Sequence, residues 1–320
     1  MNLFRKHPYA LIKKGGIIIL LALFLSIAYV NINAQNSNES GLSISPVVFE
    51  LNSDPGDTLT NQVKIYNPTE NSLQVKMKIE DFTPVGEEGQ VILQEPGENT
   101  TYSLAGWTTV SPSSFTIQPE QQQLVTFTIG VPQNGEPGGH YGSIVATLSG
   151  GANQTTGSTV GSELGALILL RVSGNVKEEI VVNTFSTASF KETGPIDFEI
   201  KFENTGNVHV KPAGFVSITD MLGQEVALFE IPQKNVIPGA VREANASWGE
   251  TRLFGRYTAT LIVNYGNEGK QTVTEVFSFI VFPWKTVLIV LALVAVIIAF
   301  LFYFRKRISK AFKVLVGKSE

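Results

Sequence analysis

Cysteine is absent from all 320 residues. Disulfides, thiol catalysis, cysteine zinc sites and iron–sulfur clusters are excluded with it. Histidine occurs three times (His7, His140, His209), too few and too scattered for a histidine-built metal site. Charged residues make up 16%, against roughly 25% in ordinary soluble domains. Acidic residues outnumber basic ones, 28 to 24, so the formal net charge is −4. The basic balance of a nucleic-acid binder is missing. There is no Gly-rich phosphate loop, no His-Glu-x-x-His and no EF-type calcium loop. Asp54-Pro55-Gly56-Asp57 reads as a plain turn. No serine stands with a local base and no acids pair up, so the chain is not expected to be an enzyme. No catalytic residue, cofactor, metal or small-molecule substrate is expected. His140, in a Gly-rich turn, and His209, after an Asn-rich one, read as exposed turn residues. Glu178-Glu179 reads as a solvated strand face or linker.

Low charge with a mean hydropathy of +0.13 points to apolar residues gathered in few places. Two segments hold them. Gly15 to Val30 is apolar, follows Arg5, Lys6, Lys13 and Lys14, and leads to Ile32-Asn33-Ala34. That order describes a secretory signal peptide over residues 1–34, cut after Ala34. An uncleaved signal anchor is the alternative. The second segment, Thr286 to Phe304, has no charge. About 19 helical residues cover roughly 28 Å, close to the hydrocarbon thickness of a bilayer. Trp284 and Tyr303 suit its interfacial belts, and Arg305, Lys306 and Arg307 follow at once. Positive charge beside a span stays cytoplasmic. The expectation is a single-pass cell-membrane protein with a transmembrane helix at 283–304, a basic cytoplasmic tail at 305–320 and an extracellular body. Residues 35–285 then hold 14 basic and 27 acidic residues, a charge of −13 hidden inside the total.

The body alternates apolar and polar residues in short runs cut by turn residues. Strand candidates include Leu59–Tyr66, Leu73–Phe82, Leu124–Val131, Tyr141–Leu148 and Leu164–Val172. A second set includes Ile196–Phe202, Ala213–Asp220, Tyr257–Asn264 and Gln271–Phe282. This pattern predicts an all-β body of two tandem Ig-like β-sandwich domains. A short linker (35–41) leads into the first, at 42–180, and the second occupies 181–282. A weak repeat supports two similar units: Lys64-Ile65-Tyr66-Asn67 resembles Lys201-Phe202-Glu203-Asn204, and Gly139-His140-Tyr141 resembles Gly255-Arg256-Tyr257. Tyr141 and Tyr257 are candidates for corner tyrosines that bond back to the backbone. Trp107 reads as a core residue, and the long loops 84–106 and 150–162 as candidate recognition segments.

Several motifs carry a family likeness: Ser43-Ile44-Ser45-Pro46-Val47-Val48-Phe49-Glu50-Leu51, Pro55-Gly56-Asp57, Phe115-Thr116-Ile117-Gln118-Pro119-Glu120 and Gly138-Gly139-His140-Tyr141. Over these motifs the chain resembles the WxL-interacting proteins of Gram-positive surfaces. The family's order is also similar: signal peptide, this domain, a second Ig-like domain, one span, a basic tail. The resemblance implies peptidoglycan binding by the first domain. The second domain lacks a clear family signature, and the chain has no Trp-x-Leu of its own. More loosely, the motifs are similar to those of PapD-like and other Ig-like bacterial proteins.

The expected function is a membrane-anchored surface binding or scaffold protein. Its partners would be the cell membrane and peptidoglycan or another surface protein, with no nucleic acid. One alternative is a PapD-like chaperone or assembly factor that lends a strand such as Leu164–Val172 to an exported partner. Another is a membrane-tethered hydrolase, for which the sequence offers no acid pair or activated serine.

Overall fold

The structure, a computed structural model, describes residues 41–95, 101–149 and 163–315, with backbone alone at 149, 268 and 306–315. The expected signal peptide, nearly all of the 35–41 linker, loop 150–162 and the end of the tail lie outside the described residues.

The first sandwich is built from β1 (Ser43–Ser45), β2 (Val48–Ser53), β3 (Thr58–Tyr66), β4 (Leu73–Val85), β5 (Gln90–Gln94), β6 (Thr108–Ser111), β7 (Ser114–Ile117), β8 (Gln122–Gly130), β9 (Gly138–Ser149) and β10 (Glu163–Val172). One sheet has the order β1-β3-β8-β6, the other β2-β10-β9-β4-β5 with β7 also on β4. Alternation sets the faces. In β8, Val125, Phe127 and Ile129 point inward, and in β10 Ala166, Ile168, Leu170 and Val172 do so from the opposite sheet. Phe49 meets Phe127 edge-on at 4.9 Å in the middle. Without disulfides such packing carries the stability, at about 1.5–3 kcal/mol for each fully buried large side chain.

The second sandwich is built from β11 (Ile180–Ser186), β12 (Phe190–Lys191), β13 (Ile196–Asn204), β14 (Ala213–Thr219), β15 (Glu225–Glu230), β16 (Val241–Glu243), β17 (Ala246–Trp248), β18 (Gly255–Tyr265) and β19 (Gln271–Val281). Its sheets run β11-β13-β16, with β17 on β13, and β12-β19-β18-β14-β15. Ile196, Phe198, Ile200 and Phe202 of β13 face Val216, Ile218, Leu261, Val263 and Phe279 across the core.

Both sandwiches split their first strand between two sheets. β1 is antiparallel to β3 while β2 runs parallel to β10; β11 is antiparallel to β13 while β12 runs parallel to β19. The repeated Asn residues end equivalent strands. Asn67 is fully buried, donates to the carbonyls of Asn71, Ile117 and Gln118, and accepts from Thr69. Asn204 donates to Val208 and Val236 and accepts from Gly206.

Among the described residues the fold is thus all-β with two Ig-type sandwiches, followed by one apolar helix, α1 (Trp284–Leu315). Residues Trp284–Arg305 are long and apolar enough to cross a membrane and none of that stretch is buried against the body. The helix runs on to Leu315, past the expected end of the span at 304.

Candidate functional site: an open strand edge beside a cleft

β10 is paired unequally on its two sides. With β9 it pairs over its whole length, Glu163↔Thr147 to Val172↔Gly138. With β2 it pairs only from Leu167↔Val48 to Val172↔Ser53. The Leu167 N–H donates toward β2, to the Val47 carbonyl at 2.9 Å. Backbone groups repeat with period 2 along a strand. The N–H and C=O of Gly165 and Glu163 therefore point the same way, and no described strand lies opposite them. Both residues are exposed. Glu163 is held there by Lys78, whose Nζ lies 2.9 Å from Glu163 and 2.6 Å from Glu80. The Glu80 and Glu163 carboxylates keep the Lys78 ammonium above its usual pKa.

The outer face of the same sheet continues into a cleft of about 360 Å³ between the sandwiches. Val48, Val91, Leu167 and Leu169 line it from the first sandwich, and Val236, Ile237 and Val241 from the second. Glu50 of β2 crosses its mouth, accepting from Asn235 Nδ2 at 2.7 Å and Lys211 Nζ at 3.0 Å. The Asn235 hydrogen bond, more than the lysine, holds the Glu50 carboxyl below its ordinary range. Behind the cleft Phe82, Tyr141 and Leu169 form a small buried cluster against Ile237.

Polar clamps join the sandwiches around this cleft. Lys201 pairs with Glu87 at 2.7 Å and Glu199 at 2.9 Å, and the Glu87 carboxylate leads in raising the ammonium pKa. The Glu243 N–H donates to the Glu87 carbonyl, and the Gly139 N–H to the Asn207 carbonyl, both at 2.8 Å. Arg171 pairs with Glu178, which also accepts from the Asn267 N–H at 2.8 Å.

Tyr141 and Tyr257, the corner candidates, sit in different surroundings. The Tyr257 hydroxyl accepts from the Phe254 N–H at 3.1 Å and donates to its carbonyl at 3.2 Å. Tyr141 is buried between the sandwiches, 3.4 Å from His209 Nδ1, and burial pushes its phenol pKa up. Trp284 is 43% and Tyr303 82% exposed on α1, and Arg305 lies over the Phe302 ring. The side chains of Lys306 and Arg307 are outside the described residues.

The histidines correct the expectation of exposed turns. His140 is 3% exposed, lies 3.1 Å from the Ser103 carbonyl and 2.8 Å from that of Glu136, and packs at a tilt against Trp107 with ring centroids 4.2 Å apart. His209 is half-buried at the junction, and burial lowers its pKa to about 4. Both turns are covered by neighbouring loops, which local sequence does not show. Glu178 is likewise an ion-paired junction residue rather than a solvated face. Trp107 and Trp248 are half-buried against the two cores.

Sequence reading also passed over Asp81. It is 1% exposed and accepts from Ser103 Oγ at 2.6 Å and from the Leu104 and Ala105 N–H groups at 2.9 and 2.8 Å. Its place inside a strand, next to Phe82, was the available signal. It fastens the described part of loop 84–106 to β4.

No family model matches the chain, and no curated protein matches it. Solved structures similar to it include a chaperone–tip adhesin complex described as vital for CFA/I fimbriae biogenesis. That match has 14% identity, 74% of this chain and 98% of that one, and a TM-score of 0.42. The class 5 fimbriae chaperone CfaA matches at 15% identity, 74% and 98%, and a TM-score of 0.40. A CsuC–CsuE pre-assembly complex of Acinetobacter baumannii matches at 11%, 64% and 89%, and 0.35. At such identities and scores these likenesses do not say what this chain binds.

Proposed function

We propose that this chain is a membrane-tethered assembly factor that holds an exported polypeptide by strand addition at the β10 edge. The backbone of Glu163 and Gly165, with no partner strand on that side among the described residues and an apolar cleft nearby, carries this reading. An extended segment laid in line with β2 would take up these N–H and C=O groups. Main-chain bonds would supply affinity, and side chains reaching toward Val48, Leu167 and Leu169 would supply selectivity. α1 is the anchor, and the basic residues from Arg305 onward favour a cytoplasmic tail beneath an exported acidic body. A polypeptide partner is preferred to wall glycan because Trp107 and Trp248 spend their rings on the cores instead of offering stacking platforms.

The test is a photo-crosslinking residue at position 163 of the full chain in its native cells. Discrete adducts with exported polypeptides are expected. Adducts confined to glycan or lipid, or retention of the body on purified wall material regardless of the β10 edge, would overturn the reading.

A further inference from the structure

The end of the second sandwich that carries α1 has apolar tips. Thr219 of β14 lies opposite Thr258 of β18, and Gly255 opposite Val281 of β19. The β14–β15 turn, the segment before β18 and the start of α1 therefore share one end. Only Phe282 and Pro283 separate β19 from α1. Two extended residues reach about 7 Å, so a membrane crossed by α1 begins at this end of the sandwich.

The side chains here run against the habit of turns, whose tips favour Gly, Asn, Asp and Ser. The tip reads Asp220-Met221-Leu222-Gly223, with Met221 66% and Leu222 78% exposed. Phe254 is 64% exposed, with its ring 5.5 Å from Phe282. Each is held in place by a polar frame. Asp220 Oδ1 accepts from the N–H groups of Leu222 at 2.8 Å and Gln224 at 3.0 Å, and Gly223 closes the turn at φ 79°. Tyr257 bonds both backbone groups of Phe254. Much of the nearby charge is engaged: Glu192 with Lys285 at 2.6 Å, and Glu250 with the Thr251 and Arg252 N–H groups.

We propose that Met221, Leu222 and Phe254 insert into the interfacial layer of the bilayer beside Trp284, as a second membrane contact independent of α1. The occupant of this patch is a lipid surface, recognised by apolar insertion rather than by headgroup charge. Continuity with the start of α1 selects lipid over a second protein, and the inference rests on reading α1 as a membrane span. The seated end would fix the second sandwich, and the clamped cleft with it, at a set height above the membrane.

The chain has no cysteine, so single-cysteine labelling is clean. Fluorophores would be placed at Leu222→Cys, Phe254→Cys, Val294→Cys within α1, and Val181→Cys. Val181 is 47% exposed at the opposite end, since β11 runs from there toward β12, whose Phe190 sits beside Ile280. Each full chain is reconstituted in vesicles carrying quenchers at shallow or deep positions of the lipid. Loss of emission is expected from shallow quenchers at 222 and 254, from deep quenchers at 294, and from neither at 181, in zwitterionic and anionic vesicles alike. Deep quenching at 294 with 222 and 254 behaving like 181 would overturn the insertion while leaving the span intact. An unquenched 294 would overturn the span and the inference together. Shielding at 222 without lipid quenching would assign the patch to protein and also overturn it.

Discussion

A carboxyl group removed from water needs hydrogen-bond partners, and Asp81 has three donors from one loop. Asp81→Ala leaves the Leu104 and Ala105 N–H groups unsatisfied inside the sandwich. The expected loss is about 3 kcal/mol of unfolding free energy, measured by denaturant titration of the full chain in detergent. His209 gives a pH effect of definite sign. The folded chain holds it neutral down to about pH 4, while the unfolded chain takes up a proton near 6.5. The neutral ring's contribution is complete above 6.5 and is lost as pH falls toward 4, about 3 kcal/mol in all. Stability measured between pH 7 and 4 should fall less steeply in His209→Phe than in the parent. Glu50, whose pKa is lowered, loses its contribution only below its ordinary 4.5, so its window lies beneath that of His209. The burial of His209 could not be read from the sequence, because the groups that cover it come from segments distant in the chain; for Asp81 the one local signal was its place in a strand beside Phe82. The twin asparagines were legible, since each ends an alternating strand at the same place in a repeated motif.

At the scale of elements, alternation located the strands well. β3, β8, β10, β13 and β14 fall within about two residues of their expected limits, the usual uncertainty of strand ends. Pairing was not legible, because period 2 gives the face of a strand and not its neighbour. The unequal pairing of β10 emerges only from the register. Glu163→Pro removes one outward N–H at the first position of the strand, where proline is tolerated. Glu163→Ala removes the Lys78 ion pair and keeps that N–H. With a photo-crosslinker at Val48, the partner adduct should weaken in Glu163→Pro and persist in Glu163→Ala. Equal loss in both would assign the effect to the ion pair. In α1, a lysine at Val294 should cost roughly 3 kcal/mol of insertion and release the chain from membranes under alkaline extraction.

For the whole molecule, the junction makes two similar sandwiches into one clamped body with a cleft. Two tandem domains were readable from turn spacing and the repeat; the clamps were not, because Glu87, Lys201, Asn207 and Glu243 look like ordinary surface residues in sequence. Gly89 is a position where the first sandwich packs against a side chain of the second. It has φ 90°, and a Cβ there would overlap the Arg242 guanidinium. Gly89→Val, strained at this φ, should push the Arg242 side chain out of the junction and loosen this corner without unfolding either sandwich. Spin labels at Glu88→Cys and Gln233→Cys should then show a longer, broader distance distribution with unchanged far-ultraviolet circular dichroism. The central claim is that the β10 edge is an acceptor for a partner strand. Its most direct measurement is backbone amide exchange at Glu163 and Gly165 in the full chain, free and covalently joined to its partner through Val48. Marked slowing at both amides is expected on joining, with Leu167, already bonded to Val47, unchanged. Fast exchange at 163 and 165 in the joined state would contradict the account.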